Sequence, residues 1–187
     1  MALTNNEIQS IQDNAECLHD ADSVHQALDQ MALAITDTLG KTLPVVLCVL
    51  NGGIIPTGHL LTRLGFPLET GYLHATRYRG ETSGAEIQWL CEPSIELLDR
   101  TVLVVDDILD EGQTLADIVD YCEQSGATQV YSAVLVQKRH DRRTTGIEAD
   151  FVGLQVDDRY VFGFGMDYKG YLRNMNGVFA LSERGSK

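Results

Sequence analysis

Positive charge is scarce in this chain: 14 Lys and Arg stand against 27 Asp and Glu, for a net charge of −13. That balance argues against a nucleic-acid groove or an anionic membrane surface as the main partner. A small anion held in a local cationic pocket stays open. Cysteine is scarce too. Cys17, Cys48, Cys91 and Cys122 lie far apart, with no CxxC pair and no nearby histidine cluster. This speaks against structural zinc and a disulfide framework, and four buried thiols in a reducing compartment are expected. The start, MALTNNEIQS, lacks a cationic segment followed by an apolar one, so no secretory signal is read. The longest apolar run, PVVLCVL, is far too short to span a bilayer. Internal repeats, low-complexity tracts and linkers are also missing. A cytoplasmic protein with neither nucleic-acid nor membrane partners is the expectation.

What remains is an ordinary globular composition, 44% hydrophobic and 22% charged over 187 residues, enough for one domain with a real core. Residues 4–39 read as two helices. Thr4 with Glu7, and Ser23 with Gln26, give capping-box patterns before apolar stripes at helical spacing. LPVVLCVL and TVLVVDD are short, continuous, β-branched runs, the pattern of strands buried on both faces. Between and after them come a glycine turn with a short helix (NGGIIPTGHLL), two strand-like stretches at 67–78 and 85–90, an amphipathic helix (QTLADIVDYCEQ) and the strand QVYSAVLVQK. Three short strand candidates follow at 151–156, 160–164 and 177–181. Alternation of this kind predicts a single α/β domain, a parallel sheet flanked by helices. Its core is placed at about 41–150, with a small cap from about 1–40 and 151–187.

The stretch TVLVVDDILDEGQTL carries the chemistry. An apolar strand runs into Asp106 and Asp107, then Asp110 and Glu111, then Gly112 at what reads as a helix start. A glycine turn feeding a helix is an anion site, because backbone N–H groups and the positive end of the helix dipole face the ligand. Alone, an Asp-Asp pair at a strand end is commonly a turn or helix cap. The spacing to Gly112 and Thr114 changes that reading. Strand, two acids, two apolar residues, acid, one residue, Gly, one residue, Thr resembles the phosphoribosyl-pyrophosphate motif of the type I phosphoribosyltransferases. LCVLNGG resembles the pyrophosphate loop of that family's hypoxanthine-guanine branch. LVQKR and YVFGFGMDYKGYLRN are similar to its purine-binding segments, in the same order.

The resemblance covers roughly residues 45–180 and implies a division of labour. Backbone N–H groups of Glu111, Gly112, Gln113 and Thr114, with the Thr114 hydroxyl, would hold a 5′-phosphate. Asp106 and Asp107 would serve the ribose hydroxyls and Mg²⁺, with Asp167 on a second Mg²⁺. Asp110 would be the general base. Asn51, Gly52 and Arg173 would bind pyrophosphate, the first two through a loop that often contains a non-proline cis bond. Lys138, Tyr160, Val161 and Asp167 would form the purine site. The family's mobile loop commonly carries Ser-Tyr where this chain reads TRYRGETSG, with Thr76, Arg77 and Tyr78 at the lid positions. The implied activity joins hypoxanthine or guanine to 5-phosphoribosyl 1-pyrophosphate, in a homodimer or homotetramer.

Alternatives stay open at this point. Tyr160 and Val161 also read as core strand residues, and KRHDRR, apart from Lys138, reads as a solvated loop. Trp89 and the five histidines form no constellation. Among bases, Lys138 disfavours adenine, since an ammonium has donors and no acceptor, whereas xanthine is not excluded. The rival from another class is a regulatory protein of the same fold that senses the sugar and binds RNA.

Overall fold

In the computed structural model, residues 3–77, 87–142 and 146–182 are described. The elements in chain order are α1 (Asn5–Asp13), β1 (Ala15–His19), α2 (Ala21–Leu39), β2 (Val45–Leu50), α3 (Ile54–Leu61), β3 (Glu69–Arg77), β4 (Ile87–Cys91), β5 (Thr101–Leu109), α4 (Gln113–Gln124), β6 (Gln129–Arg139), β7 (Phe151–Asp157), β8 (Val161–Phe162) and β9 (Val178–Leu181). The main sheet has six strands in the order β4-β3-β2-β5-β6-β7, all parallel except β4. A three-stranded antiparallel sheet, β1-β9-β8, stands apart from it.

The β-branched runs explain the layering. Alternate residues of a strand face opposite sides of a sheet. Val46, Leu103 and Val105 accordingly share a cluster with Val24, Leu28 and Ile35 of α2 and Leu60 of α3. Their neighbours Val45, Leu47, Val102 and Val104 meet Leu115, Ile118 and Cys122 of α4 on the other face. Both faces are dry, which is why these strands read as unbroken apolar runs.

Three expectations are corrected. The first 39 residues contain β1 between the two helices, and α2 is capped by Asp20, whose Oδ1 accepts from the Ser23 N–H at 2.9 Å, rather than by Ser23. The Thr4–Glu7 box is present as read. Second, β7, read among the cap strands, is the edge strand beside β6, while α2 packs in one cluster with main-sheet residues and with Val161, Val178 and Ala180 of the smaller sheet. The smaller sheet, the hood sheet, is made of 15–19, 161–162 and 178–181. Third, Cys48 and Cys122 are buried, but Cys17 and Cys91 are exposed, and all four thiols are free.

The strand order fixes where a ligand belongs. From β2 the chain moves to β3 on one side, then returns to lay down β5, β6 and β7 on the other. The space beyond the carboxyl ends of β2 and β5 is therefore the switch point of the sheet, where open α/β folds bind ligands. Among the described residues, no helix is long and apolar enough to cross a membrane.

Candidate active site

A cleft of about 720 Å³ opens at that switch point. One wall is the turn after β2, the other the turn after β5. Pairing of β2 with β5 ends at Cys48–Val105, while β5 stays paired with β6 through Leu109. Asp106 and Asp107 therefore sit within β5, not past its end, on the stretch that β2 no longer covers. They form the cleft floor. The Leu50–Asn51 peptide is cis, and Gly52 beyond it lies so close to the Asp107 carboxylate that a Cβ there would strike it. Gly165, at φ +111°, packs on the Gly52 carbonyl in the same way.

Burial raises the pKa of Asp106 well above the ordinary carboxyl value, and the neighbouring Asp107 adds to the effect. Asp107 is raised as well, chiefly by burial, with Asp106 and Arg173 pulling it back. Arg173 reaches this pair from the segment after β8. Its guanidinium lies 3.8 Å from Asp107 Oδ2 and 2.6 Å from Asp167 Oδ1, and it donates to the Gly165 carbonyl at 2.6 Å. Asp167 also accepts from the Gly170 N–H at 2.6 Å. The sequence-predicted residues Asn51, Gly52, Asp106, Asp107, Asp167 and Arg173 thus line one chamber.

The second wall is a phosphate-type turn. Gly112 caps α4 at φ +87°, a left-handed conformation that suits glycine and aims the first turn of the helix into the cleft. The helical ladder begins with the Ala116 N–H on the Gly112 carbonyl at 3.0 Å. First-turn N–H groups have no carbonyl a turn earlier and serve as anion donors. Glu111, Gly112, Gln113 and Thr114 all line this part of the cleft.

Beside it, a smaller recess of about 160 Å³ is bounded by Asp107, Ile108, Asp110, Lys138, Tyr160, Val161, Met166 and Asp167. Lys138, near the end of β6 and only 12% exposed, donates to Asp110 Oδ2 at 2.7 Å. Tyr160 is 51% exposed and meets Tyr168 edge-on, so of the two residues left open as core only Val161 is buried. Arg77 ends β3, its side chain and Tyr78 lying outside the described residues, as does the rest of the expected lid.

Three participants escaped the sequence. His140 Nε2 lies 2.7 Å from Asp110 Oδ1. Arg142 pairs with Asp158 at 2.7 Å and reaches Glu111 at 3.4 Å, tying the segment after β7 to the glycine turn. A period of two along β6 would have put His140 on the same side as Lys138. Asp110, His140 and Asp158 offer ligand atoms within 4.8 Å of one another, yet Lys138 and Arg142 lie among them. Burial works to raise the pKa of Asp110, but the hydrogen bonds from Lys138 and His140 outweigh it, and the carboxyl sits below its ordinary value.

A sequence profile described as the phosphoribosyl transferase domain matches residues 14–169. The chain belongs to the phosphoribosyl transferase domain family. It is 26% identical over 177 residues to the hypoxanthine-guanine-xanthine phosphoribosyltransferase of Tritrichomonas foetus, covering 95% of this chain and 97% of that one. The hypoxanthine-guanine phosphoribosyltransferase of Homo sapiens is 29% identical over 167 residues, 84% of this chain and 76% of the relative. A hypoxanthine phosphoribosyltransferase structure from Staphylococcus aureus superposes with a TM-score of 0.88 at 22% identity, covering 98% of this chain and 100% of that one. The phosphoribosyl transferase domain therefore carries both turns and the floor of the cleft within its matched span, while Arg173 lies just beyond it.

Proposed function

We propose that this protein transfers the phosphoribosyl group of 5-phosphoribosyl 1-pyrophosphate to a 6-oxopurine, hypoxanthine or guanine, giving IMP or GMP and pyrophosphate. The observation that carries the reading is the contact between Asp110 and Lys138, 2.7 Å apart, at the mouth of a base-sized recess beside the phosphate turn. An acceptor for a ring proton and a donor for an oxo group stand together there, as purine chemistry needs. The names of the relatives support the same substrate class.

In this reading the purine ring nitrogen attacks the anomeric carbon, the bond to pyrophosphate breaks, and the ring proton passes to Asp110. Lys138 turns from Asp110 to the 6-oxo group. Tyr160 stacks on the base, and the Val161 backbone bonds its edge. N–H groups of Glu111 to Thr114 hold the 5′-phosphate, and Asp106 and Asp107 accept from the ribose hydroxyls. Arg173 and the Asn51–Gly52 backbone neutralise and orient the departing pyrophosphate. Arg77 and Tyr78 belong to the proposed lid, which would exclude water.

Mg²⁺ fits the donors. Asp106, Asp107 and Asp167 are hard oxygen ligands, and the first two are adjacent acids whose pKa values are raised, chiefly by desolvation. Asp106 and Asp107 would hold one ion and Asp167 a second, each with the pyrophosphate. When bound, Mg²⁺ supplies charge neutralisation of the leaving group. The proposed working unit is a homodimer or homotetramer in the cytoplasm, and exposed Ile54, Tyr72 and Leu90 offer apolar surface for subunit contact.

A Mg²⁺-dependent pyrophosphate-release assay across hypoxanthine, guanine, xanthine, adenine and orotate tests the reading. Hypoxanthine and guanine should exceed adenine by at least about a hundredfold in kcat/KM, because a site built to bond one polar group strongly rejects its absence. Lys138→Ala should remove most activity toward 6-oxopurines while sparing affinity for the sugar substrate. Equal use of adenine, or an unaffected Lys138→Ala variant, would overturn the assignment.

A further inference from the structure

We propose that His140 is a positioning residue that anchors the Asp110 carboxylate, so that one of its oxygens stays fixed while the other receives the proton of the incoming base. The inference rests on the reading of Asp110 as the proton acceptor and goes beyond it.

The geometry around the ring is closed on both sides. His140 is only 5% exposed, and its Nε2 meets Asp110 Oδ1 at 2.7 Å. Its Nδ1 accepts from the backbone N–H of Arg142 at 3.0 Å. A backbone N–H donates and never accepts, so Nδ1 carries the lone pair and Nε2 carries the proton. The ring is thereby set in one tautomer and one orientation, with its N–H aimed at the carboxylate.

Asp110 needs such an anchor because its other partner is called away. Lys138 holds Oδ2 at 2.7 Å in the empty site. A 6-oxopurine draws that ammonium toward its own oxygen, leaving Oδ2 free to face the ring nitrogen. Without a second donor the carboxylate would then rotate, and misplacement by a fraction of an ångström is enough to slow proton transfer. His140 stays behind because Arg142 N–H holds it from the far side. The proton leaves the purine nitrogen and arrives on Oδ2, and His140 keeps its own.

Other charged groups also face Asp110. Arg142 lies 3.8 Å away, Asp158 meets Lys138 at 3.8 Å, and Glu111 follows it in the chain. Of these, Asp158 and Glu111 engage Arg142 at 2.7 and 3.4 Å, so among the described residues His140 and Lys138 are the donors in direct hydrogen-bond contact.

The test has two arms. Nitrogen-15 NMR of the imidazoles in the ligand-free wild type should show His140 as the Nε2–H tautomer with a slowly exchanging proton. An Nδ1–H tautomer would overturn the proposal without any variant. His140→Phe, which keeps the ring shape and removes the donor, should lower kcat roughly ten- to hundredfold, the worth of one hydrogen bond to a charged group. KM for the sugar substrate should not change. The acid limb of the kcat/KM profile for the base should move to higher pH, since the carboxylate loses a donor that favours its charged form. His140→Gln, whose amide N–H reaches a similar place, should restore much of the rate. A folded His140→Phe with wild-type kcat and pH profile would refute the positioning role. Full activity in Asp110→Asn would instead sink the reading of Asp110, and the role of His140 with it, while the NMR contact would stand.

Discussion

At the scale of single residues, the cleft sets carboxylates against one another. Asp107 is buried and its neighbour Asp106 partly so, and both are raised in pKa, desolvation being the largest cause for each. A raised folded-state pKa means that the fold binds a proton more readily than the unfolded chain does. The contribution of the pair to stability is then full below the ordinary carboxyl range and falls as pH rises through its folded-state titration. Asp106→Asn should accordingly raise the melting temperature of the ligand-free protein at pH 8 by about 2–4 °C, roughly 1 kcal/mol at this chain length. The advantage should shrink at pH 5. Scanning calorimetry at both values checks it, and a variant that melts lower than wild type at pH 8 contradicts it. Asp110 differs in kind, held below its ordinary value by two donors despite its burial. It is ionised at neutral pH and ready to accept. Asp110→Asn should lower turnover by roughly 10²–10⁴-fold with little change in sugar-substrate affinity; near-normal turnover would remove it from the mechanism. The gathering of these acids at one cleft was legible because a glycine and a threonine stand at set distances from them. His140 was not, since a lone histidine in a run of cations carries no spacing to a partner in the turn after another strand.

Among the elements, the unit that matters is β5, its turn and α4. Its sequence is locally consistent: a dry strand, a left-handed glycine and an amphipathic helix with Leu115, Ile118 and Cys122 inward. That consistency is why the strand, the turn and the helix could be read from residues 101–124 alone. β1 was missed for the opposite reason. It is five half-exposed residues between two helical patterns, and it is held by β9 near the other end of the chain. No local window contains that partner. The start of α2 was misplaced because Asp20 and Ser23 both suit a helix cap, and tertiary context chooses between them. Gly112 tests the unit. At φ +87°, a β-branched residue costs on the order of 1–3 kcal/mol, so Gly112→Val should fold but melt lower. Its nucleotide affinity should fall by more than its stability, because the same turn aims the N–H groups. Calorimetric titration with IMP decides it: unchanged affinity in a folded variant would show that the phosphate sits elsewhere.

Over the whole molecule, a chain of net charge −13 keeps a local cationic path where phosphates would bind. Lys138, Arg142 and Arg173 all line the cleft, at the one place where the strand order reverses. The parallel sheet and the location of the site followed from strand alternation. The assignment of the late strands to sheets did not, because 151–157 and 161–162 look alike as short apolar strands yet join different sheets. Which sheet a strand joins depends on neighbours far away in sequence. The cleft lies between the main sheet and the hood segment that carries Tyr160, Val161, Asp167 and Arg173, so a nucleotide filling it would bridge both. Ligand binding should therefore stabilise the fold as one cooperative unit. At a hundred times its dissociation constant a ligand adds about 2.7 kcal/mol, which at about 2–4 °C per kcal/mol is a melting shift of several degrees. IMP and GMP should give that shift at concentrations where AMP gives little, since the Lys138 ammonium finds an oxo acceptor in the first two and an amino group in the third. Thermal shift measured across the three nucleotides is independent of turnover. An AMP curve matching that of IMP would mean that the phosphate and ribose alone are being read, and that Lys138 does not choose the base.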